Sequence, residues 1–246
     1  MSDRRTGECE GAHHAALQEI SRSLVQVAER LRHRAAASRE FIRLTERAQG
    51  IATQARLVST SKWGVVENAA ALARDLRTFA GEVAAASERA SLETSGNSAV
   101  ANALAAQAER LRGIGCNGVT AGPLSIRAEL EPLEATLTTL RDRMRGGDTV
   151  AKDADVLARR ATALADSAAK LSCGGRAVEV AALEIQRSLF AFVDDAVSIS
   201  TRMSDASTGL SDAAATIARG ATEVLEAGGA GSMTRPWQEG VVVWGR

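Results

Sequence analysis

The sequence predicts an all-α fold in which long antiparallel helical hairpins form an elongated coiled coil or four-helix bundle. Three observations carry this expectation. Alanine makes up about a fifth of the 246 residues, aromatic residues are 3%, and there are only three prolines. Such a composition favours helix and leaves little to fill the core of a β-sandwich or barrel. Glycine and proline cluster at few places, cutting the chain into stretches of similar length at about 14–61, 65–112, 124–172 and 176–226. Within those stretches apolar residues recur in alternating steps of three and four, the 3.5-residue repeat of helices that pack along a common seam.

Residues 1–13 read as a disordered N-terminal tail and 14–112 as the first hairpin. Its first helix carries the seam Leu17, Ile20, Leu24, Val27 and Leu31, followed out of phase by Phe41, Leu44, Ala48, Ile51, Ala55 and Val58. A turn is expected around Lys62-Trp63-Gly64. The second helix follows Leu72, Leu76, Phe79, Val83, Ala86 and Ala90, then Val100, Leu104, Ala108 and Leu111. The polar run from Thr94 to Ser98 between these two sets is expected to kink or break it. Residues 113–123 form a Gly-rich linker.

The second hairpin spans 124–226, with its tip near 173–176. Leu130, Leu133, Leu137, Leu140 and Met144 precede the diglycine Gly146-Gly147, where the helix is expected to stop and restart with Asp148 as N-cap. Beyond it Val150, Ala154, Leu157, Ala161, Leu164, Ala168 and Leu171 run one residue out of phase, so the diglycine absorbs a register shift. The last helix is the most regular, keeping its repeat from Val178 through Ile185, Phe192, Ile199 and Leu210 to Val224. Residues 227–246 read as a flexible C-terminal tail. Alanine alternating with leucine on these seams lets helices approach closely. The periodicity leaves open whether the hairpins pack on each other or pair with a second chain as a homodimer.

The composition excludes much. Thirty basic residues against thirty acidic ones give no electrostatic footprint for nucleic acid. No run of 18 apolar residues offers a membrane span, and the N-terminus lacks the apolar segment of a secretory signal. Cys9, Cys116 and Cys173 are far apart and lack metal-ligand spacing, which predicts reduced thiols and a cytoplasmic setting. His13, His14 and His33 frame no metal site with a carboxylate. Arg30, Arg32, Arg34, Arg39 and Arg43, mixed with Glu29, Glu40 and Glu46, read as a solvated face. The expectation is a protein without catalytic residues, cofactor or metal.

One stretch goes beyond generic coiled coil. Gly174-Gly175-Arg176-Ala177-Val178-Glu179-Val180-Ala181-Ala182-Leu183-Glu184-Ile185 resembles the tip of the cytoplasmic signalling hairpin of methyl-accepting chemotaxis receptors, Gly-Arg-Gly-Phe-Ala-Val-Val-Ala-x-Glu-Val. Gly175, Arg176, Val180, Ala182 and Glu184 match in one register, and the likeness covers residues 161–189. A fainter echo opens with Ile51-Ala52-Thr53-Gln54 and extends to residue 89. The resemblance implies a soluble bacterial signal-transduction protein that transmits or scaffolds through helix packing. Its hairpin tip would be presented to a chemotaxis coupling protein or histidine kinase, with Arg176, Val178, Val180 and Glu184 making the contact. Core packing is the other reading for the valines, and a solvated charge for Arg176. The sequence departs from the family where its tip asparagine is Ala163 in one copy and Ser61 in the other, and the glutamate after it Ser167 or Val65. No adjacent Glu/Gln pair lies in the small-residue setting of the family's methylation helices. From another class, a structural or scaffolding bundle unrelated to chemotaxis would need none of these tip residues. It would depend on core positions such as Leu189 and Phe192.

Overall fold

A computed structural model describes residues 3–60, 67–116, 123–173 and 176–227, with most side chains between 14 and 224. All of the described residues are helical. Helices α1 (Asp3–Thr60), α2 (Glu67–Cys116), α3 (Pro123–Ala169) and α4 (Arg176–Ala227) follow one another, with a 3-10 turn at Lys170–Cys173 ending α3. The all-α expectation holds. The turn around Trp63, residues 117–122 of the Gly-rich linker, Gly174-Gly175 and the C-terminal tail from 228 lie outside the described residues.

Three local expectations are corrected. The first helix begins at Asp3, so eleven of the thirteen residues read as a tail are helical. No break occurs at Thr94–Ser98, because α2 runs through it with Asn97 buried. The diglycine does not stop α3, so Asp148 lies inside the helix and not at a helix start. Its one-residue phase shift is absorbed inside a continuous helix, where Met144, Gly147 and Val150 follow in two three-residue steps.

The chain divides into two compact units, and neither coincides with a hairpin. Unit 1 comprises residues 1–33, 96–145 and 205–246, and unit 2 comprises 34–95 and 146–204. All four helices contribute to each unit, so within each the two hairpins share one core. The sequence left that question open.

In unit 2 the order of ion pairs gives the topology. Glu40 pairs with Arg202 and Arg47 with Asp195, so α1 rises as α4 falls. Glu82 pairs with Arg160 at 2.5 Å and Arg89 with Asp153 at 2.8 Å, which sets α2 antiparallel to α3 in the same way. The Ser200 hydroxyl on α4 donates to the Ala151 carbonyl of α3 at 3.1 Å. Each helix thus has two neighbours and one diagonal partner. Phe79 and Phe192 meet across one diagonal, ring centroids 5.0 Å apart at 70°, the edge-to-face geometry that aromatic pairs favour. The seam residues read from the sequence, among them Phe41, Leu76, Leu157 and Leu189, line this core.

Unit 1 has its own core, built on Leu24, Leu31, Leu104, Leu133, Leu140 and Ile217. Here Ser21 donates to the Ala108 carbonyl at 2.9 Å, joining α1 to α2. A methyl group built on Gly220 would lie 3.0 Å from Ile20 Cγ1, so glycine at that seam position lets α1 and α4 approach closely.

Candidate protein-interaction face

The residues singled out for partner contact all lie in the first turns of α4, which separates them by face. Val178 is 5% exposed and belongs to the core of unit 2, so it is withdrawn from the contact set. Four residues carry the seam from Val178 to Ala182, and a position two residues on points away from it. Val180 accordingly is 52% exposed, and Glu184 is exposed too. Arg176 is the first residue of α4, and its side chain lies outside the described set. Of the proposed contacts, Val180 and Glu184 are therefore available together at the surface of the same two helical turns.

Leu183, Phe190 and Val197 extend the apolar character of this face, at 43%, 43% and 47% exposure. Their seven-residue spacing was legible in the sequence, but the more regular buried seam on the same helix masked it. A single large apolar side chain in water is ordinary, but several in line point to contact with a partner.

A second feature was misread from sequence. Arg34, assigned above to a solvated stripe, is fully buried. Its Nη2 donates to Oε1 of Glu93 at 3.1 Å, and Glu93 is itself 5% exposed. Burial drives the guanidinium below its ordinary pKa, while Glu93 and then Asp148 oppose that shift. An arginine nonetheless keeps its proton at neutral pH. The diglycine of α3 is the seat of this pair. A methyl group on Gly147 would stand 1.0 Å from Arg34 Nη2, and one on Gly146 would stand 2.7 Å from Glu93 Oε2. Arg34 on α1 reaches α3, its diagonal partner, only because that helix offers bare backbone there. Signals for this layer were present in sequence: the gap in the α1 seam between Leu31 and Phe41, and the paired glycines midway along α3.

Among the described residues no three or more His, Cys, Asp or Glu side chains gather as a metal site. No helix of the described residues is long and apolar enough to cross a membrane. Comparison of the chain with protein-family models, curated proteins and solved structures returns no match in any of the three.

Proposed function

We propose that this chain is a non-enzymatic helical-bundle protein that works by contacting other proteins, acting as a bacterial signalling component of the chemoreceptor cytoplasmic type. The α3–α4 hairpin presents its apex and the first turns of α4 to a chemotaxis coupling protein or histidine kinase in the cytoplasm. The supporting observation is the exposure of Val180 beside Glu184, an apolar side chain and a carboxylate on the surface where the resemblance puts the contact. Small shifts between Ala-rich helices would carry the signal.

The test is a pull-down of a chemotaxis coupling protein by the full chain and by Arg176→Glu and Val180→Glu variants. Retention by the parent chain and at least a severalfold loss in both variants is expected. Equal recovery of all three, or recovery of none, overturns the reading.

A second reading, a structural scaffold unrelated to chemotaxis, draws on the buried seams that all four helices carry and on Ala163 in place of the family's tip asparagine. It requires Arg176→Glu and Val180→Glu to be silent in the cell, while Leu189→Ala or Phe192→Ala abolishes function through loss of the fold.

A further inference from the structure

Helix α4 carries two seams. The inner one, described above, fills the core of unit 2. The outer one reads Val180, Leu183, Arg187, Phe190, Asp194 and Val197, again in strict alternation of three and four. Every member is exposed. Three of the four apolar members, Leu183, Phe190 and Val197, recur at one heptad position, while Arg187 and Asp194 hold the other, one heptad apart. A surface helix normally carries only polar residues on such a face. A second continuous heptad pattern is what a helix shows when another helix packs on that side.

We propose that this outer seam pairs with the same seam of a second copy of the chain, antiparallel about a two-fold axis near Phe190. The charges choose the partner and the direction. In a parallel pair Arg187 would face Arg187 and Asp194 would face Asp194, like charges in the same layers. In an antiparallel pair centred near Phe190, each Arg187 comes within a turn of the opposite Asp194, and symmetry makes that contact twice. The face is thus complementary to itself in one orientation only, the property an isologous interface requires. Like-charge pairing suppresses the parallel alternative. Neither Arg187 nor Asp194 takes part in an ion pair among the described residues, so both are available for this contact. The seam shares Val180 with the chemotaxis reading, but the pairing and its test rest on Arg187, Phe190 and Asp194, none of which that reading uses.

One helix-on-helix contact buries less than about 1,200 Å², which places the dimer in the weak, concentration-dependent class. The test is sedimentation equilibrium of the full chain over about 10 µM to 1 mM, the range that class calls for. The parent chain is expected to shift from monomer to dimer mass. Arg187→Asp and Asp194→Arg should each weaken association at least tenfold, because each turns attraction into repulsion at both symmetric contacts. The double variant Arg187→Asp/Asp194→Arg should restore the dimer, and an equimolar mixture of the two single variants should form it as well. Helical circular dichroism should be unchanged throughout, because these side chains are exposed. A parent chain that stays monomeric over the whole range overturns the proposal. So does a dimer indifferent to the single reversals, or single-variant losses that the double variant does not restore.

Discussion

Alanine at position 147 would set its methyl group 1.0 Å from Arg34 Nη2. Because Arg34 is fully buried, its guanidinium cannot swing into water to make room. Gly147→Ala is therefore expected to break the contact with Glu93 and destabilise the fold by about 3 kcal/mol, the scale of a buried ion pair losing one partner. In an Arg34→Ala background the notch is empty. There the same substitution should stabilise by about 0.5–1 kcal/mol, as alanine replacing helical glycine does. Urea denaturation of the four proteins of this cycle checks it, and simple additivity would show that Gly147 does not seat the guanidinium. Gly209 makes a useful contrast: a methyl there meets Arg30 Nη1 at 1.7 Å. Arg30 is exposed and can turn away, so Gly209→Ala should be nearly neutral. Sequence told little at this scale. Glycine pairs in a helix look like a stop, and an arginine among arginines looks solvated, until the diagonal partner that explains both is in view.

The exposed ion pairs between α1 and α4 set register more than they add stability. Arg202 grips Glu40 through two hydrogen bonds, one of them 3.1 Å long. That grip, followed by the charges of Arg202 and Arg43, outweighs burial and holds the Glu40 carboxyl below its ordinary value of 4.5. A carboxyl lowered by folding contributes stability above its unfolded pKa and loses that contribution as pH falls through the folded one. Both side chains are nearly half exposed, at 43% and 46%, so solvent limits the contribution to about 0.2–1 kcal/mol. The parent chain should exceed Glu40→Gln by this amount at neutral pH, and the two should converge in strong acid, as read from denaturant midpoints. A gap unchanged by acid would count against the pair. Salt should narrow the gap at neutral pH.

Helix seams were the most legible part of the chain. Nearly every apolar position that sequence periodicity assigned to the core is buried, from Leu17 on α1 to Val224 on α4. Departures from the pattern were harder to interpret. Arg34 and Ser38, both buried, fill the gap in the α1 seam between Leu31 and Phe41, and the phase shift on α3 falls where Gly147 receives the guanidinium. The outer seam of α4 escaped notice because an exposed leucine or phenylalanine is unremarkable until its neighbours are seen to be exposed too.

For the molecule as a whole, each compact unit draws on all four helices, and this has a direct consequence. A fragment of residues 14–112, the first hairpin alone, would expose Phe41, Leu76 and Phe79, which in the full chain lie in a core shared with α3 and α4. It should be largely unfolded or aggregated by circular dichroism and gel filtration. Co-expression with residues 124–226 should recover the helical, cooperatively melting complex. A monomeric, stably helical fragment would restore the hairpins as independent bodies.

The sequence by itself determined the fold class, the four helices and most of their buried faces. Helix propensity and a 3.5-residue repeat are local properties, fully written in the order of residues. Only the tertiary structure decided how the hairpins share their cores, why α3 continues through two glycines, and which charge is inside. Each of those depends on what a diagonal or neighbouring helix places opposite a residue. Spacing along one helix carries no record of its neighbours.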